Sequence, residues 1–145
     1  MNTTQTLNGL IKICKDGQDG FRDAAENVKN PDLKTLFSKY SLQRSKFAGE
    51  LQALVTEHGE EPDKTSSIVS AIHRGWMDLK SAFTKGNDHA ILAECERGED
   101  YAVKAYRQAL ADELPANIRE VVTSHNTAVQ ATHDDIRDRR DAAAT

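Results

Sequence analysis

Through four long stretches of the chain, apolar residues recur every three to four positions, and little interrupts them. That recurrence matches the α-helical repeat of about 3.6 residues, and no alternating run long enough for a strand competes with it. The 145 residues include only three prolines and eight glycines, mostly at the edges of these stretches. The spacing predicts a first helix over about Thr3–Val28, striped by Leu7, Leu10, Ile11, Cys14, Gln18, Phe21, Ala25 and Val28. Asn30 and Pro31 follow, a capping residue and one whose fixed φ suits a first helical position. The second helix then runs to about His58 with Leu33, Leu36, Phe37, Tyr40, Arg44, Phe47, Leu51, Leu54 and Val55, and Gly59 can end it in a left-handed conformation. A third, about Asp88–Ala111, carries Ile91, Leu92, Cys95, Glu99, Ala102, Tyr106 and Leu110. After "DELPAN" a fourth runs to about Asp141 with Ile118, Val121, Val122, His125, Val129, Thr132 and Ile136. A shorter helix is predicted over about Ser67–Lys85, with Ile68, Ile72, Trp76, Leu79 and Phe83 on one side.

Connection lengths turn these elements into an architecture. The first two long helices are joined by a short loop, and so are the last two, which makes each pair antiparallel. A much longer connection, mostly the shorter helix, separates the pairs. Two hairpins joined by one long crossover is the connectivity of ferritin-like bundles. The expectation is a single all-α domain over residues 1–145, a ferritin-like antiparallel four-helix bundle with an additional shorter crossover helix and a frayed tail over about 142–145. Gly17 and Gly20 lie inside the first helix, where each glycine costs about 1 kcal/mol relative to alanine. Their retention predicts close approach by a neighbouring group.

Charge and composition exclude several classes. Charged residues make up 29 % and apolar residues 38 %, and the formal net charge is -4 with no Lys/Arg block. Nucleic-acid binding is not expected, because it calls for a clustered basic face. No apolar run reaches about 18 residues, so no membrane span is expected. The N-terminal "MNTTQTLNGLIK" lacks the basic start and apolar run of a signal peptide, so the expected location is cytoplasmic. Cys14 and Cys95 form no CxxC pair and lie at the centres of apolar arcs, where thiols are inert core groups.

The stretch "ILAECERGEDYAVKAY" (Ile91–Tyr106) concentrates carboxylates. With Cys95 at the centre of the apolar arc and about 100° per residue, Glu99 falls about 40° away, inside the arc. Glu94 and Glu96 flank the arc at about 100°, and Asp100 lies about 140° away. One carboxylate of four points inward. Gln18, Arg44 and Glu99 each lie near a helix midpoint on the apolar stripe, with His125 about one turn off. A buried charge must be paired. The reading is an internal Arg44–Glu99 salt bridge with Gln18 and His125 near it. A di-iron centre would instead need about four carboxylates and two histidines, with Glu-x-x-His pairs on two helices. The positions three before the histidines hold Val55, Ser70, Gly86, Val122 and Gln130, so no such pair exists. Arg44 also repels a cation where a metal site wants negative charge. No cofactor is expected. The alternative is iron at a degenerate site drawn from Glu50, Glu94, Glu99, His125 and His133.

Four stretches carry a resemblance: "DGxxGFxxAAE" (Asp16–Glu26), "QRxxFAxEL" (Gln43–Leu51), "HRGWMDLKSA" (His73–Ala82) and "ECERGEDxAxxAY" (Glu94–Tyr106). Together they resemble a bacterial ferritin-like four-helix-bundle family of unknown function, over about Leu7–Arg137. The resemblance implies a ferritin-like fold in a bacterial cytoplasmic protein. It implies no activity.

Other constellations are weaker. His73 lacks the following lysine and small residue of a phosphotransfer histidine, Met77 and Asp78 standing one turn on. Ser124 and His125 are adjacent in sequence, which gives no triad geometry. Trp76 is expected to cover the bundle. Tyr40 and Tyr101, the latter beside Arg97, are interface candidates, since exposed aromatics and arginine favour association. A homo-oligomer, most simply a dimer, is expected, with an unidentified protein partner as the other possibility. The favoured function is binding or assembly in a stress-related setting, with an enzyme the less favoured class.

Overall fold

Three of the four long helices begin at a capping asparagine. The computed structural model describes residues 2–59, Trp76, Ala82 and 87–143. Helix α1 (Thr3–Asn27) starts with a capping box: the Asn2 side chain accepts from the Gln5 amide, and Gln5 returns the bond to the Asn2 amide. Helix α2 (Pro31–Glu57) starts with Asn30 accepting from the amides of Asp32 and Leu33, and it ends before Gly59 at φ 88°. Helix α3 (Asp88–Ala111) is capped by Asn87, which accepts from the Ala90 amide. Helix α4 (Ala116–Ala143) follows Pro115. The four long helices thus start and end within about two residues of the positions their periodicity indicates. The shorter helix expected over 67–85 lies outside the described residues, except for Trp76 and Ala82.

Hydrogen bonds between helices fix their directions. The Asp88 carboxylate accepts from the amides of Lys29 and Asn30, joining the start of α3 to the turn after α1. Thr6 near the start of α1 donates to Asp112 just after α3. Helices α1 and α3 are therefore antiparallel neighbours. Tyr40 donates to Asp135 at 2.5 Å, and Glu50 bonds His125, so α2 and α4 are antiparallel as well. The two hairpins, α1–α2 and α3–α4, complete a ring in which every neighbour is antiparallel. Helices α2 and α3 then face each other across the diagonal and run parallel. It follows that α2 ends and α3 begins at opposite ends of the bundle, about 40 Å apart at 1.5 Å rise per residue.

The interior is two apolar clusters with a polar layer between them. One cluster gathers the first half of α1 with Phe47, Leu51 and Val55 of α2, Ala102 and Tyr106 of α3, and Ile118, Val122 and Val129 of α4. The other gathers Phe21, Phe37, Tyr40, Ile91, Leu92, Cys95 and Ile136. Burying each large side chain contributes about 1.5–3 kcal/mol, so these clusters supply the cohesion of the bundle. The break falls between Cys14 and Phe21, Tyr40 and Phe47, Cys95 and Ala102, and Val129 and Ile136. Gly17, Arg44, Glu99 and Thr132 occupy those gaps, and all four are buried.

Candidate functional site

Arg44 and Glu99 fill the centre of that layer. The guanidinium donates from Nη1 to Oε1 and from Nη2 to Oε2, each at 2.5 Å, with the side chains 1 % and 0 % exposed. A two-pronged pair of this kind is the strongest ionic geometry available to side chains. The bond crosses the diagonal between α2 and α3, which is why it takes the long arginine side chain to span it. Room comes from α1: a Cβ at Gly17 would lie 3.3 Å from Arg44 Nη1 and 3.4 Å from its Cγ. The Phe21 ring covers the guanidinium carbon at 5.4 Å. Burial pulls the Arg44 pKa down, but the charge and hydrogen bonds of Glu99 outweigh it and hold it above its ordinary value. Arg44 Nε donates to Gln43 Oε1 at 3.3 Å, and Thr132 Oγ1 approaches the same oxygen at 3.5 Å.

Toward one end of the bundle lies a second polar chain. His125 is 2 % exposed and stacks on Phe47, with ring centroids 3.8 Å apart. Its Nε2 lies 2.8 Å from Glu50 Oε1, and its Nδ1 lies 3.1 Å from the Tyr106 hydroxyl. That hydroxyl is 3.2 Å from Cys14 Sγ. One proton arrangement satisfies every group: the Cys14 thiol donates to Tyr106, Tyr106 donates to Nδ1 of a neutral His125, and Nε2–H donates to the Glu50 carboxylate. Burial lowers the His125 pKa, with Glu50 opposing, which favours this neutral form. Burial also pushes Cys14 up to about 11 and raises Tyr106 and Cys95 well above their ordinary values. Neither thiol is a ready nucleophile.

The sequence candidates thus separate. Arg44 and Glu99 meet. Gln18 is half-buried, and its backbone carbonyl accepts from Ser41 Oγ at 2.8 Å; the α1 residue at the layer is Gly17, one position earlier. On α4 the layer residue is Thr132, while His125 belongs to the chain with Glu50. In the carboxylate-rich strip Glu99 points inward, Glu94 and Glu96 are 15 % and 13 % exposed at the flanks, and Asp100 is 59 % exposed. Arg97 lies 3.4 Å from Glu94. His133, on the α3–α4 face, is bonded to Asp100 and Asp134. Tyr40 is 9 % exposed with its hydroxyl on Asp135, so it does not present the free aromatic surface that an interface would use. Tyr101 is half-buried.

The buried link from Cys14 through Tyr106 to His125 had no clear sequence signal beyond a tyrosine on an apolar stripe, whose hydroxyl needs a partner once buried. Gly20 and Gly98 had a clearer one. A Cβ on either would overlap the indole of Trp76, which lies between α1 and α3 and packs edge-on against Phe21 at 5.2 Å.

The donors of the central layer do not suit a di-iron centre. Both Glu99 oxygens are held by Arg44, whose fixed positive charge stands at the middle of the bundle, and Glu50 and His125 are committed to each other. No curated protein matches the chain. A family model described as a domain of unknown function (DUF2383) matches residues 2–112, which covers α1, α2 and α3 with Cys14, Arg44, Glu99 and Tyr106. With well over half its length matched, the chain belongs to the DUF2383 family of unknown function.

Proposed function

We propose that the protein is a ferritin-like bundle whose centre is closed by an ion pair, and that it works by binding or assembly through its outer surface. The observation that carries this reading is the buried two-pronged Arg44–Glu99 pair, which takes the carboxylate and supplies the cation that a metal would otherwise supply. The parallel diagonal of α2 and α3 supports the ferritin-like part, since a single long crossover produces it. Burial holds the Cys14 thiol up at about 11, which argues against nucleophilic chemistry at that residue. The proposed setting is a bacterial cytoplasm, with a homodimer as the simplest assembly. Leu42, 72 % exposed on the outer side of α2, would enter such an interface.

The competing reading places iron at a degenerate centre built from Glu50, Glu94, Glu99, His125 and His133. One experiment separates them. The purified chain is incubated anaerobically with ferrous iron, desalted, and its metal content measured by mass spectrometry, with its mass in solution taken by light scattering. The proposal expects no iron whose retention depends on Glu99, and a discrete dimer. About two irons per chain, lost in Glu99→Ala, would overturn it and show that Arg44 swings aside.

A further inference from the structure

The α3–α4 face carries a second constellation that the central layer does not use. Glu96 and Asp100 lie four residues apart on α3, and His133 faces them from α4. One donor atom from each lies within 4.8 Å of the others. We propose that Glu96, Asp100 and His133 form a binding site for a divalent transition-metal cation of the zinc type, opening onto the groove beside it.

Three further observations point to a cation. First, His133 is already oriented as a ligand. Its Nδ1 is held at 3.0 Å by Asp134, which itself accepts from Gln130, so its Nε2 is presented toward Asp100 at 2.6 Å. A carboxylate behind a histidine is the usual outer support of a metal-bound imidazole. Second, Glu96 Oε1 is buried and makes no hydrogen bond of good geometry, while the Arg140 guanidinium 2.6 Å away supplies its counter-charge. Arg140 also pairs with Asp141 at 2.9 Å, so it has a partner to keep if a metal displaces it. Third, Asp100 and His133 line a groove of about 540 Å³ with Lys104, Arg107 and Gln130, which leaves room for water or another ligand to complete the coordination.

The donor set fixes the class of metal. One imidazole nitrogen with two carboxylates favours zinc and its transition-metal neighbours over magnesium or calcium, which prefer all-oxygen shells. Metal–ligand bonds of about 2.0–2.2 Å set tetrahedral donors about 3.3–3.6 Å apart, so a bound metal would draw Glu96 in from Arg140 and open the His133–Asp100 contact slightly. This site shares no residue with the Arg44–Glu99 layer and stands or falls separately from it.

The test is a calorimetric titration of the full, chelator-stripped chain with Zn²⁺, and with Mg²⁺ as the contrasting probe. The expected result is one Zn²⁺ per chain and no Mg²⁺ heat. Asp100→Asn and His133→Ala should each weaken binding by at least about tenfold, and Asp134→Asn, which touches no metal, by about 10–100-fold through loss of orientation. Arg140→Gln should bind Zn²⁺ more tightly, because a competing cation is gone. Glu50→Gln should bind like the parent. Asp100 is exposed, so Asp100→Asn carries the test if His133→Ala fails to fold. No Zn²⁺ heat, or parental affinity in Asp100→Asn, would overturn the proposal, as would binding that disappears in Glu50→Gln.

Discussion

Arg44 of α2 and Glu99 of α3 join across the diagonal of the bundle through two hydrogen bonds of 2.5 Å, with neither side chain more than 1 % exposed. The pair separates two apolar clusters that would otherwise be continuous. A layer of this kind stabilises less than apolar packing of the same volume, and any axial slip of α2 against α3 would leave two buried charges unmatched. Gly17 lets the arginine lie flat against α1, so three helices are located by one contact.

The glycines of this bundle have different reasons to be glycine, and alanine substitution sorts them. Trp76 is the only tryptophan, so its emission reports on its own site. Gly20→Ala and Gly98→Ala each insert a methyl into the indole's place and are expected to expel the ring, with a red shift of emission and a lower melting temperature. Gly49→Ala meets nothing within 4 Å. It should leave the emission unchanged and raise stability by about 0.5–1 kcal/mol, the ordinary helical gain.

Acid titration should show two histidines of opposite sign. The His125 pKa in the folded chain lies below its ordinary 6.5, because burial disfavours the charged ring. Its contribution is fully present above pH 6.5 and is lost as pH falls from there through the folded value. The His133 pKa is raised: burial pulls it down, but the bonds to Asp134 and Asp100 prevail. Its contribution is fully present below pH 6.5 and is lost as pH rises through the folded value. Denaturant midpoints measured between about pH 5 and 8 should therefore lose their low-pH decline in His125→Gln and their high-pH decline in His133→Gln. Unchanged profiles in both variants would contradict the assignment.

Both thiols should be silent in the native state. Cys14 and Cys95 are 0 % exposed, and burial raises both pKa values. An aromatic disulfide reagent near neutral pH should label neither thiol until denaturant is added, and then both. Rapid labelling of the folded chain would show that the Cys14–Tyr106–His125 chain opens.

Much of the architecture was legible because the long helices announce themselves by period, and at some ends by a cap as well. Asn30–Pro31 and Gly59 mark ends that stripes alone would leave loose. The inward position of Glu99 was legible for the same reason, since a charged residue on an apolar arc needs a counter-charge and Arg44 is the arginine on a facing stripe. What stayed hidden depends on rotation and depth. Gln18 and Gly17 are neighbours in sequence, and an arc about 100° wide does not separate them. Thr132 and His125 share a stripe on α4, and only the stagger between α2 and α4 decides which one meets the layer. The site at Glu96, Asp100 and His133 lies between two helix edges, where periodicity ranks residues as merely flanking.

The most direct test of the central claim is a double-mutant cycle on Arg44 and Glu99, read by urea denaturation. Arg44→Met and Glu99→Leu should each cost about 3–5 kcal/mol, because each strands a buried charge. The double variant should recover most of that loss or exceed the parent in stability, since the replacements are apolar and similar in volume. Single variants that cost under about 1 kcal/mol each and add simply in the double would contradict the account, because the two groups would then be acting independently.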